Sequence, residues 1–275
     1  MSPQNPAPDA SPSLDAFSTH AVWRSDDESP GDDSLIEEVP VALVYNGIAH
    51  AVMMATPIDL EDFALGFSLS EGIAAGSANL YDVEIVRVEE GIELRIELAA
   101  ADFAALKTRR RQLAGRTGCG LCGVESLAQA ARPLPALPFT QALESAALQA
   151  ALMHLQDAQP LTTATGAAHA AAWLRPDGTL AAVFEDVGRH VALDKLIGWR
   201  ARVGAEPGAA LVTSRSSYEM AHKAASAGIE ILAAVSAPTA LAVRLATSLN
   251  LTLAGFVRPG RANVYTHPER LFSAR

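Results

Sequence analysis

The chain has 275 residues, 49% of them hydrophobic, which is enough for a sizeable core in one large or two modest domains. Its net charge of −10 is unevenly spread: in residues 1–34, seven acids (Asp9, Asp15, Asp26, Asp27, Glu28, Asp32, Asp33) face only Arg24, so the remainder carries no strong nucleic-acid field. Two cysteines, no basic-then-apolar leader and no apolar run of about 18 residues argue against a disulfide scaffold, a secreted chain and a membrane protein, and for a soluble cytoplasmic one.

Residues 1–34, rich in Pro, Ser, Asp and Ala, read as a disordered acidic tail, because they hold too little apolar surface to offset ordering. Residues 35–115 read as a small α+β domain. Val39–Tyr45, the turn Asn46-Gly47 and Ile48–Met54 carry a hairpin signal. Thr56 then serves as the expected cap of a helix with Pro57 in its first turn and Leu60, Phe63, Ala64 and Phe67 on its apolar face. A second hairpin joins Val83–Val88 to Ile92–Leu98, whose Ile92, Leu94, Ile96 and Leu98 alternate with Glu93, Arg95 and Glu97. A helix over 101–114 closes the domain. Its Lys107, Arg109, Arg110 and Arg111, with Arg116 beyond, are either a solvated basic face or a positive field beside the cysteines.

Residues 116–138 form a loop and Pro-rich linker. Residues 139–275 alternate helices (139–156, 188–202, 217–227, 238–249) with strands (167–174, 180–184, 210–213, 231–235, 251–256). That order resembles a cytidine-deaminase-like three-layer α/β/α domain with short strands covered on both faces.

The two cysteines, Cys119 and Cys122, stand in Arg116-Thr-Gly-Cys-Gly-Leu-Cys-Gly123, where glycines remove bulk and widen the backbone's choices. Zinc lacks ligands. The seven histidines (His20, His50, His154, His169, His190, His222, His267) are scattered, and the helix starts near 188 and 214 carry neither His-x-Glu nor Pro-Cys-x-x-Cys. No metal site is therefore expected. A thioredoxin-type dithiol fits less well, since the pair follows a helix rather than a strand, although a transient disulfide stays open. Nucleophilic sulfur transfer needs an exposed thiolate of lowered pKa on an adaptable loop, and those features are present.

Anion-binding residues cluster in the last domain. Thr213-Ser-Arg-Ser-Ser-Tyr-Glu219 lies between a strand and a helix; Ser216 and Glu219 have capping-box spacing, which leaves Arg215 as the candidate ligand. Glu185-Asp-Val-Gly-Arg-His190 offers Asp186 as a cap and Arg189 and His190 as candidates, with His169 as another, against the commoner reading of a structural histidine. Phe256-Val257-Arg258-Pro259-Gly260-Arg261 puts two arginines around a turn, and arginine forks suit phosphate.

Taken together the sequence resembles the FdhD family of formate dehydrogenase accessory sulfurtransferases. The resemblance rests on Ala42-Leu-Val-Tyr-Asn-Gly47, Leu60-Glu-Asp-Phe-Ala-Leu-Gly66, Gly118-Cys-Gly-Leu-Cys-Gly123, Glu185-Asp-Val-Gly-Arg-His190, Ser236-Ala-Pro-Thr239 and Asn263-Val-Tyr-Thr-His-Pro268, in that order. It implies a sulfur carrier: a cysteine desulfurase loads a persulfide, and the sulfur passes to the molybdenum cofactor, bis-molybdopterin guanine dinucleotide, before insertion into formate dehydrogenase. By motif position it makes Cys119 the persulfide-bearing nucleophile and Phe256–Arg261 the cofactor-binding segment; the residues themselves offer Cys122 as helper and Arg215 and His190 as further ligands. It also implies a homodimer, and GDP as a mimic of the cofactor's nucleotide halves. The alternative is a chaperone that binds the cofactor without moving sulfur.

Overall fold

The computed structural model describes residues 15–26, 28–114, 132–204 and 206–271. The described residues form two main sheets, with helices packed on them, and a separate two-stranded ribbon. The smaller sheet has four strands, β3 (Val39–Tyr45), β4 (Ile48–Ala55), β5 (Leu80–Val88) and β6 (Gly91–Leu98), in the order β4-β3-β6-β5. Both predicted hairpins form, and β3 joins them by running parallel to β6. Asn46 and Gly47 take positive φ angles of 45° and 79°, as a tight hairpin turn requires. The Asn46 amide also reaches β6, exchanging bonds with Leu98 N (2.7 Å) and O (3.1 Å). Helix α1 (Leu60–Ser70) covers one face of this sheet through Phe63 and Phe67, and α2 (Ala100–Ala114) adds Leu106.

The larger sheet has six strands: β7 (His169–Leu174), β8 (Leu180–Asp186), β9 (Ala209–Val212), β10 (Ile231–Ala234), β11 (Thr252–Arg258) and β12 (Arg261–Thr266), ordered β12-β11-β10-β9-β7-β8. Strands β9, β10 and β11 are parallel; β7, β8 and β12 join antiparallel. Alternate residues feed two cores. Ala171, Trp173, Ala210, Val212 and Leu232 face α5 (Arg189–Val203), α6 (Tyr218–Ser226) and α7 (Ala240–Ser248). Ala170, Ala172, Leu211, Ile231 and Ala233 face α3 (Ser145–Asp157). The short α4 (Pro160–Thr165) is capped by Glu185, whose carboxylate accepts from the amides of Leu161 and Thr162, both at 2.8 Å.

The units meet where α1 crosses α5. An added Cβ would lie 1.7 Å from Asp194 O at Gly66 and 1.9 Å from Asp62 O at Gly198, so only glycine allows the two backbones to approach this closely.

Four expectations need correction. Residues 17–36 are not a disordered tail: β1 (Phe17–Arg24) pairs antiparallel with β2 (Ser29–Ile36), because Phe17, Thr19, Val22 and Trp23 favour strand despite the acids in the turn. Thr56 does not cap α1, which starts at Leu60. Its amide donates instead to Asp186 Oδ2 (3.0 Å) and its Oγ1 accepts from Val187 N (3.1 Å), so a tertiary contact takes the capping groups. The helix expected from 139 starts at Ser145, because the amides of Thr140 and Gln141 are held by the Glu230 carboxylate. Finally, Phe256–Arg261 does not end the sheet but turns into β12.

Candidate functional site

The C-terminal edge of the larger sheet collects most of the predicted residues, because parallel strands deliver their outgoing loops to one side. Three loops there are bonded together. Ser216 N donates to Ala237 O (3.2 Å), Thr239 N to Ser216 O (3.0 Å), and Phe256 N to Ser236 O (3.0 Å). Phe256, half-exposed, is held at φ 52°, and Pro259-Gly260 makes the turn into β12. Arg258 donates to the carbonyls of Val235 and Val257, and Gly260 N donates to Gln149 Oε1 (2.9 Å), while Arg215 and Arg261 stay exposed. This edge therefore carries Arg215 and the Phe256–Arg261 turn on adjoining loops.

His190, in the first turn of α5, stands at the same edge against Glu219 of α6. Its Nε2 stands 3.0 Å from Glu219 Oε2, but off the line that a hydrogen bond needs, so the ring nitrogen is left without one. Burial, and then Arg189, lower the His190 pKa against the pull of Glu219; burial and Arg189 lower that of His169 too. The capping-box reading of Ser216 and Glu219 is overturned. Ser217 caps α6, its Oγ accepting from Met220 N, which frees Glu219 to face His190. Asp186 is no plain cap either: it forms a fully buried pair with Lys195 (2.8 Å) while accepting from Gly188 N (2.7 Å).

Cys119, Cys122 and Arg116 lie outside the described residues. Their flanks do not. Arg109 donates to Glu71 O (3.2 Å) and Gly72 O (2.8 Å), and Arg132 donates to Ser70 O (2.9 Å), so both sides of the cysteine segment rest on the end of α1. Arg110 binds Ala49 O (2.7 Å) and Lys107 lies over the Phe103 ring, so this run is not simply a solvated face.

Sequence reasoning missed the network beneath. Lys223 Nζ contacts Ser70 Oγ (2.9 Å), Glu71 Oε1 (2.7 Å) and both Asp194 oxygens (3.0 Å). Burial raises the Asp194 pKa to about 6 even with Lys223 beside it. Burial also opposes the charge on Glu71, yet Lys223 leaves its pKa lowered. Helix α6 thus runs from Glu219, at the sheet edge, to His222 and Lys223, at the flanks of the cysteine segment; His222 Nε2 lies 3.1 Å from Arg132 O. The available signal was Asp194-Lys195 in the middle of an apolar helix, a pattern that requires buried partners.

A cavity of about 380 Å³, lined by Leu143, Glu144 and Arg270, lies away from these groups; another, of about 280 Å³, is lined by Leu69, Ile197, Arg200 and Ser226, whose Oγ donates to Ser70 O (3.0 Å) beside the Lys223 network. Among the described residues, no group of three His, Cys, Asp or Glu could hold a metal, and no helix is long and apolar enough to cross a membrane.

The sequence profile of the FdhD/NarQ family matches residues 36–272. The chain belongs to the FdhD/NarQ family. The match takes in both flanks of the cysteine segment and the Phe256–Arg261 turn, and leaves β1 and nearly all of β2 outside it. The fold agrees with a solved relative, the crystal structure of a proposed formate dehydrogenase accessory protein from Desulfotalea psychrophila. That structure is 24% identical with a TM-score of 0.73, and the alignment covers 94% of this chain and 100% of the other.

Proposed function

We propose that this FdhD/NarQ protein serves formate dehydrogenase maturation as a sulfur carrier. The family membership supports the maturation role, and the paired cysteines between glycines, flanked by arginines anchored on one helix end, support the chemistry. The Cys119 thiolate attacks the terminal sulfur of a desulfurase persulfide, forming Cys119-S-SH and releasing the desulfurase thiolate. The Cys122 thiolate then attacks the inner sulfur, closing a Cys119–Cys122 disulfide. The departing hydrosulfide goes to the molybdenum cofactor, and a thiol reductant reopens the disulfide.

The cofactor, bis-molybdopterin guanine dinucleotide, is the substrate in this scheme. Its phosphates lie along Phe256–Arg261, Arg215 and His190, on the larger domain, which we read as cytidine-deaminase-like from its mixed sheet covered by helices on both faces. A cytoplasmic homodimer serving a cysteine desulfurase and formate dehydrogenase completes the reading.

Mass spectrometry after incubation with a desulfurase and cysteine should show one added sulfur atom, absent in Cys119→Ala. An undiminished adduct in that variant would remove Cys119 from its role. No adduct on the wild type would leave only a chaperone.

A further inference from the structure

One arginine at the sheet edge has nothing to hold. Arg189, half-buried at the first position of α5, makes no hydrogen bond or ion pair among the described residues, and its Nε is shut away from solvent. Buried charge without a partner is costly, so such a group points to a missing anion. Asp186, three residues back in the chain, is already engaged by Lys195, Thr56 N and Gly188 N.

The surroundings repeat the pattern. His190, next in the chain, has a ring nitrogen without a hydrogen bond, 3.0 Å from Glu219 Oε2, and His169 stands opposite Asp186 in the β7–β8 register, at the strand end that leads into Arg189. Ser216 is wholly buried in the turn before α6, the helix whose Glu219 faces His190, and its Oγ also lacks a partner. Helix α5 begins at Gly188 with no side-chain cap and no acid in its first turn. Basic residues there oppose the helix field, which favours an anion.

We propose that Arg189, His190 and His169 form an oxyanion subsite at the start of α5 that takes a phosphate-class tetrahedral anion. It is distinct from the Phe256–Arg261 turn, since β8 and β11 are four strand spacings apart, about 19 Å. The natural source, a second phosphate of one long ligand lying along the edge, rests on the cofactor reading above; binding of the anion itself does not.

The test is calorimetric titration of inorganic phosphate into the full chain, with thermal melts in phosphate-free buffer. Phosphate should bind the wild type and raise its melting temperature. Arg189→Gln should lose at least tenfold in affinity while melting unchanged without phosphate, and Arg189→Lys should recover part of the loss. Equal affinity in Arg189→Gln and wild type overturns the subsite. So does a lowered melt of Arg189→Gln in phosphate-free buffer, which would mark a structural arginine, or phosphate affinity that follows Arg258→Ala instead. Titration with GDP forms a separate arm. GDP affinity unchanged in Arg258→Ala sinks the turn's part in the cofactor reading and leaves the phosphate result standing.

Discussion

In the smaller sheet β6 buries Ile92, Leu94, Ile96 and Leu98 and turns Glu93, Arg95 and Glu97 outward, whereas β9 (Ala-Ala-Leu-Val) and β10 (Ile-Leu-Ala-Ala) of the larger sheet have no polar residue at all. One sheet is covered on a single face and the other on both. With both faces covered, the larger sheet has only its strand ends left for chemistry, and there Arg189, His190, Arg215, Ser216 and the Phe256–Arg261 turn gather. The smaller sheet contributes through α1 instead, whose end receives Arg109 and Arg132 from either side of the cysteine segment. Under the proposed sulfur-carrier role both parts must be held in register, which gives the joint between the units its functional weight.

That joint is the most vulnerable place. Lys195 donates to Thr56 O (3.2 Å) as well as pairing with Asp186, so one buried ammonium ties the end of β4 to the end of β8. Lys195→Met would strand Asp186 without its partner and should cost about 3–5 kcal/mol. Urea denaturation at pH 7 measures this; a loss below about 1 kcal/mol would mean that the units hold together without the pair. Gly66→Ala acts on the same joint by volume. Its Cβ would force α1 and α5 apart at their closest approach, for a loss of about 1–3 kcal/mol. Unchanged stability there would show the crossing to be adjustable.

The two regions were unequally legible. Alternation and Asn46-Gly47 made the smaller sheet readable, since a one-sided sheet writes its faces into the sequence. Short apolar runs separated by helical patterns made the larger one readable. What stayed hidden depended on partners far along the chain. Strand β12 is specified by pairing with β11 more than by its own Arg-Ala-Asn-Val-Tyr-Thr. Thr56 looked like a cap until Asp186, 130 residues on, claimed its amide. At the site, the basic candidates were visible by type, but Glu219 was assigned to Ser216 by spacing alone, when the cap falls one residue later on Ser217. Nothing local marks Lys223 as the ion that joins α6 to α1.

Acid provides the gentlest probe of the comparison. The pKa values of His50 on the small sheet, of His169 and His190 at the large sheet's edge, and of His222 on α6 all lie below the ordinary 6.5, chiefly through burial. Each therefore binds fewer protons folded than unfolded, so its contribution to stability is full above about pH 6.5 and is lost as pH falls below it. Asp194 runs the other way: raised from 3.8 to about 6, its contribution is full below 3.8 and is lost as pH rises through about 6. Asp59 and Asp186, also raised by burial, act with Asp194, so four imidazoles stand against three carboxyls and the urea midpoint should fall modestly between pH 7 and pH 5. His50→Gln should flatten that decline if the small unit shares it. Asp194→Asn, although weaker at every pH for want of its bond to Lys223, should show a steeper decline because one opposing carboxyl is gone. A midpoint that instead rises with acid would mean that the imidazoles are open to solvent, and that the edge around Arg189 is wetter than its unbonded nitrogens imply.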